Sequence, residues 1–130
     1  MANEKIKYSN GCSPQELEST SVRWFQDSDV GTKLSGSANV AMSGGSLVHV
    51  SPKTITSAET TLTVKDFIYV KCISGDDVKI SLDNGTSDLI RLSAGESFAS
   101  EINYDASNPN NSAIVIDTDG TSTIEYLSGT

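Results

Sequence analysis

Beyond residue 60, hydrophobic residues recur at every second position through much of the chain, the period of a half-buried β-strand. Val78, Ile80 and Leu82 form one such series, with polar Lys79 and Ser81 between them. Residues 61–73 hold the strongest apolar run: Leu62, Val64, Phe67, Ile68, Tyr69, Val70, Cys72 and Ile73. Strict alternation would put Leu62, Val64, Asp66, Ile68, Val70 and Cys72 on one face. Asp66 does not suit that row, so a bulge or bend near Lys65 and Asp66 is expected to split the run. Phe67 and Tyr69 then share the opposite face, as on a central strand of a sandwich covered on both sides.

Turn chemistry punctuates the rest. Gly75-Asp76-Asp77 leads into residues 78–82. Asp83-Asn84-Gly85 marks a hairpin, because Asn and Gly accept positive φ. The return strand is expected over residues 88–93, with Ile90 and Leu92 on one face and Arg91 on the other. Ala94-Gly95 turns the chain into a strand over 97–103, where Phe98 and Ile102 point the same way. Residues 107–111 read as a loop, 113–117 as a short strand, Asp119-Gly120 as another hairpin turn and 123–127 as the last strand. About six strands with turns every eight to twelve residues predict an all-β fold. Its expected architecture is an antiparallel β-sandwich, jelly-roll or immunoglobulin-like, with an extended N-terminal arm or loop region.

The first half is patterned differently. Residues 4–8 suit a strand. Ser13-Pro14-Gln15-Glu16 is a helix start, with Ser as cap, Pro at the first position and Glu three residues on. The Ser19-Thr20-Ser21 run propagates poorly, so one or two helical turns are expected. Trp24 and Phe25 follow, then a stretch over 26–46 rich in Gly, Ser, Asp and Asn, with Val30, Leu34, Val40 and Met42 isolated in it. Strand character resumes over 47–50. The expected division is an N-terminal extension over residues 1–46 and a β-sandwich domain over 47–130. A polar stretch of some twenty residues is unusual inside a compact domain. Two readings stand: an arm that orders against another molecule, or a surface loop.

A chain of 130 residues falls within one domain and is long enough to fold without metal or disulfide staples. Its two cysteines, Cys12 and Cys72, form no ligand or redox motif; Cys72 reads as a small buried hydrophobe. Residues 1–10 contain two lysines and no apolar run, so no secretory signal is expected. No stretch approaches the ~20 apolar residues of a membrane span, and a reducing cytoplasm is the expected folding compartment. The Asn-x-Ser/Thr matches at Asn84 and Asn110 are then turns. Residues 1–65 carry six basic and six acidic side chains, whereas residues 66–130 carry three basic against eleven acidic, which accounts for the net charge of −8. Such a surface repels nucleic-acid phosphates and anionic lipid, so neither nucleic acid nor membrane is an expected partner. Asp in turns, capping backbone amides, is the simplest account of the acidity.

Candidate chemistry is sparse, and no catalytic residue, metal ligand set or cofactor is expected. His49, between Val48 and Val50, has no acid or nucleophile in a recognisable arrangement nearby, and reads as a structural or surface histidine. No Gly-x-Ser-x-Gly elbow is present. Asp117-x-Asp119-Gly120 opens like a calcium loop, but its glycine comes two positions early and no closing carboxylate follows. Asp76, Asp77, Asp83 and Asp88 would converge on a cation only if neighbouring loops meet. Trp24, Tyr104 and Tyr126 are the rings a carbohydrate-binding module would use as stacking platforms; Trp24 beside Phe25 reads better as a packing anchor.

Three segments taken in order carry a resemblance. They are Val78-Lys79-Ile80-Ser81-Leu82-Asp83-Asn84-Gly85, Ile90-Arg91-Leu92-Ser93-Ala94-Gly95-Glu96-Ser97-Phe98, and Ile124-Glu125-Tyr126-Leu127. Their succession is similar to that of small β-sandwich virion proteins of tailed bacteriophages, over roughly residues 61–130. What the resemblance implies is a non-enzymatic structural role: a capsid decoration (cement) protein, or alternatively a head–tail connector or tail component. It implies a virion location after assembly in the host cytoplasm, partners among the major capsid protein or other virion proteins, and homo-oligomerisation. Trp24, Phe25, Val30, Leu34, Val40 and Met42 would be the apolar anchors of the arm at that interface. A carbohydrate-binding β-sandwich module is the competing reading.

Overall fold

The computed structural model describes residues 5–12, 34–42, 45–57, 60–62, 64, 66–83, 90–102 and 114–130. Every regular element among them is a strand: β1 (Lys5–Cys12), β2 (Leu34–Ala41), β3 (Leu47–Thr56), β4 (Thr60–Leu62), β5 (Phe67–Gly75), β6 (Val78–Ser81), β7 (Ile90–Leu92), β8 (Ser97–Glu101), β9 (Ile114–Thr118) and β10 (Thr121–Gly129). The chain divides into two compact units, one of Lys7–Asn39 and one of Met1–Ile6 with Val40–Thr130. β1 and β2 form a two-stranded sheet, while the other eight strands make two four-stranded sheets, in the orders β3-β10-β5-β8 and β4-β9-β6-β7. All pairings within those two sheets are antiparallel. The all-β antiparallel sandwich expected from alternation is what forms.

Strand order decides between the two expected architectures. The first strand of the eight, β3, pairs with the last, β10. Every connection except β6–β7 carries the chain from one sheet to the other. This is the jelly-roll arrangement of two Greek keys; an immunoglobulin sandwich would instead pair its first strand with its second.

Two short turns, one of them the expected Asp119-Gly120 hairpin, therefore cross between the sheets. The Gly75-Asp76-Asp77 turn takes the chain from β5 to β6, across sheets, and Asp119-Gly120 takes it from β9 to β10, also across sheets. β6 and β7 are a true hairpin pair, Val78 opposite Leu92 and Ile80 opposite Ile90, though Asn84 and Gly85 lie outside the described residues. The break expected near Asp66 is likewise a crossing: β4 lies in one sheet and β5 in the other. Leu62 reaches the core from one sheet and Ile68, Val70 and Cys72 from the other, and Val64 joins them there.

That core lies between the sheets, built on Ile68, Ile80, Ile116 and Ile124, each with 0% exposure. Burying each such side chain contributes about 1.5–3 kcal/mol. Phe98 and Ile102 pack on it from β8 and just beyond. A buried polar lock joins two of the crossing turns: Ser122 Oγ donates to Asp76 O at 2.6 Å and Thr118 Oγ1 to Asp77 O at 3.1 Å. Thr121 N also donates to the Asp76 carboxylate, at 3.0 Å.

Two expectations for the first half need revision or fall outside view. The stretch 26–46, expected as arm or loop, contains strand β2 over Leu34–Ala41. The short helix expected from Ser13 lies outside the described residues, as do Trp24, Phe25 and Val30.

Candidate functional site

The outer face of the β3-β10-β5-β8 sheet gathers the only histidine of the chain with a carboxylate. Alternation along β10 buries Ile124 and Tyr126 and so turns Glu125 outward. Register sets Glu125 opposite Lys71 of β5, and a register shift between Ile124 and Tyr126 against β3 brings Ser51 and His49 within reach. His49 Nε2 lies 3.1 Å from Glu125 Oε2, and Tyr69 Oη donates to Glu125 Oε1 at 3.4 Å. Hydrogen bonds from His49 and Ser51 hold the Glu125 carboxyl below the ordinary glutamate range. Burial, and then the Glu125 charge, push the Tyr69 hydroxyl up.

Glu125 is the hub, and that limits the chemistry. A hydrolytic relay needs a hydroxyl delivered to an imidazole that is itself oriented by an acid. Here Ser51, His49 and Tyr69 all turn to one carboxylate, already ionised and multiply bonded. The arrangement ties three strands together rather than activating a nucleophile. Local reading of the sequence missed this pairing, because the two residues stand 76 positions apart and only the β3–β10 register brings them together.

The acidic turns form a second cluster, on the other sheet. Lys79 Nζ lies 3.0 Å from Asp119 and 3.8 Å from Asp117, and Arg91 Nη1 lies 3.0 Å from Asp119 and 3.4 Å from Asp77. Two cations thus sit among three carboxylates, and Ser93 Oγ donates to Asp77 at 3.0 Å. Those bonds hold Asp119 below, and Arg91 above, their ordinary ranges. Asp83 instead accepts from Ser81 Oγ at 2.7 Å, and Asp88 lies outside the described residues. Among the described residues no group of three or more His, Cys, Asp or Glu side chains is placed to hold a metal ion.

Of the expected interface anchors, Leu34 and Val40 lie on β2, Val40 half-buried. Met42 is buried and occupies the space left by Gly129, whose absent Cβ would run into the Met42 thioether beside Leu47. Met42 therefore packs within its own chain. Among the rings considered as sugar platforms, Tyr126 is 7% exposed, part of the core, with Lys53 Nζ 5.9 Å from its ring centre. Tyr104 and Trp24 lie outside the described residues. Cys72 is fully buried, and burial pushes its thiol up, with Asp77 and Glu96 adding to the effect.

The chain matches no protein-family model, no curated protein and no solved structure.

Proposed function

We propose that this chain is a non-enzymatic structural protein of a tailed-bacteriophage virion, a decoration protein that stabilises the head by shape-complementary contacts and by the segment between β1 and β2. The observation that carries this reading is the jelly-roll order of its eight strands, a frame used repeatedly for viral shell proteins and joined here to the resemblance of residues 61–130. It is a fold-level argument. Three further features support it. Asp77, Asp117, Asp119 and Glu125 are engaged in cross-strand clasps. No described buried side-chain polar atom lacks a partner, which is the economy of a rigid scaffold. Finally, the Lys7–Asn39 unit is distinct from the sandwich and holds Trp24, Phe25, Val30 and Leu34.

Symmetric presentation on a shell multiplies weak contacts into avidity, so individually small surfaces suffice. The test is the copy number of the chain in purified phage particles whose genome encodes it, by quantitative mass spectrometry. Hundreds of copies per particle support decoration. Six or twelve copies would transfer the chain to the connector or tail, and absence from the particle would end the virion reading.

A further inference from the structure

We infer that the open edge of β8 is a homodimer interface, where β8 of a second copy adds antiparallel about a twofold axis through Ala99. The inference does not rest on the virion reading; it follows from how the four sheet edges are built.

Natural sheets blunt their edges with short strands, proline, bulges or inward-pointing charge. β4 and β7, the edges of one sheet, span only Thr60–Leu62 and Ile90–Leu92. β3, one edge of the other sheet, is long but interrupted. It carries Pro52, which has no N–H, and an irregular register opposite Glu125. Its Lys53 pairs with core-facing Ile124 and reaches over the buried Tyr126 ring. β8, at five residues, is longer than β4 and β7 and carries neither proline nor a bulge, and its one charged residue is Glu101. It runs Ser97-Phe98-Ala99-Ser100-Glu101 in regular register with β5, and Ser97, Ala99 and Glu101 are exposed.

The hydrogen-bond pattern identifies which groups face outward. Ile102 N donates to Asp66 O at 2.9 Å and Cys72 N to Glu96 O at 3.0 Å. In an antiparallel ladder the bonded pairs alternate, so Glu96, Phe98, Ser100 and Ile102 bond β5. The N–H and C=O groups of Ser97, Ala99 and Glu101 then point away from the sheet, and among the described residues no strand meets them. Glu101 O accepts from Ser100 Oγ at 2.9 Å and keeps a second lone pair for a backbone donor.

This edge is complementary to itself. Centring the twofold on Ala99 sets Ser97 of each copy opposite Glu101 of the other, and the two Ala99 opposite each other. All three outward pairs are then hydrogen-bonding pairs, giving about six backbone bonds. On the outer face the contacts are serine hydroxyl to carboxylate and methyl to methyl. The two Glu101 side chains stand four residues apart along the ribbon, about 14 Å, which is beyond screening distance at physiological salt. No like charges oppose each other. A strand pair this short falls below the ~1,200 Å² of stable complexes, so the dimer forms at high protein concentration, and added salt favours it by screening the −8 charge that each copy carries.

Sedimentation velocity of the full chain up to about 1 mM, in low and high salt, reads the association. A monomer–dimer equilibrium strengthened by salt is expected. Ala99→Pro removes two symmetry-related donors at an outward N–H, a position where an edge strand tolerates proline, and is expected to weaken dimerisation by ~10-fold or more. Ala99→Lys, which places like charges face to face, should do the same if the proline variant fails to fold. Ser97→Lys, opposite Glu101 of the other copy, should strengthen it. Concentration-dependent protection of the Ser97, Ala99 and Glu101 amides from hydrogen exchange locates the contact. A chain that stays monomeric throughout, a dimer indifferent to both Ala99 substitutions, or an edge that binds only another protein would overturn the inference.

Discussion

His49 and Glu125 meet at 3.1 Å across the pairing of β3 with β10. Their contact joins the first and last strands of the eight-stranded sandwich, where closure of the jelly roll depends on two segments far apart in the chain. With Tyr69 on the next strand, it makes the outer face of this sheet a clasp centred on one ionised carboxylate.

That clasp has a pH signature. The folded-state pKa of Glu125 lies below its unfolded value, chiefly through His49 and then Ser51. Its contribution is therefore present above the unfolded glutamate pKa and is lost as pH falls from the ordinary glutamate range through the lower folded value. Urea unfolding followed across that range should show wild-type stability falling more steeply than that of Glu125→Gln. Equal slopes would contradict the assignment.

Gly75 and Gly95 have nearly the same backbone, φ +96° and +92°, in different surroundings. Gly95 sits in a Ser93–Glu96 turn closed by Glu96 N to Ser93 O at 2.9 Å, with open space where a Cβ would go. At Gly75 a Cβ would collide with the backbone of Thr121 and Ser122. Gly95→Ala should cost only the left-handed penalty, about 1–2 kcal/mol. Gly75→Ala should cost about 3 kcal/mol or more, because two crossing turns must separate. Chemical denaturation of both variants gives the comparison.

Much of this was legible along the chain. Strands β5, β6 and β10 follow from alternation, and the Ala94-Gly95 turn from glycine chemistry, because both signals are local. Strand order was not. A short turn such as Gly75-Asp76-Asp77 looks the same whether it returns within a sheet or crosses to the other, and what selects the crossing is distant: Ser122 on Asp76 O and Thr118 on Asp77 O. Strand β2 escaped for a related reason. Leu34–Ala41 has few large apolar residues, and its strand state comes from pairing with β1 rather than from propensity. The His49–Glu125 clasp needed the β3–β10 register.

The polar lock should be sensitive to a single atom. Ser122 is 1% exposed, and removing its hydroxyl leaves the Asp76 carbonyl without its shortest donor. Ser122→Ala should lose about 1–3 kcal/mol, measured by urea unfolding; a neutral result would mean that water replaces the hydroxyl.

Gly129 and Met42 make a coupled pair. Gly129→Ala should cost about 1–2 kcal/mol through overpacking against the Met42 thioether and Leu47. The added cost should largely vanish in a Met42→Ala background. A double-mutant cycle with no coupling would show that Met42 does not fill that space.

The segment between β1 and β2 is the arm in the proposed role. Because β2 and Met42 belong to folded structure, the informative deletion removes residues 13–33 alone. The sandwich should keep its unfolding midpoint, while incorporation into particles should fall at least tenfold; undiminished incorporation would remove the arm from the account.

The most direct measurement is a pair of cryo-electron microscopy maps of phage heads, from particles with and without this chain. The account predicts eight-stranded sandwich density repeated over the outer surface of the head lattice and missing when the chain is deleted. Identical maps would contradict it.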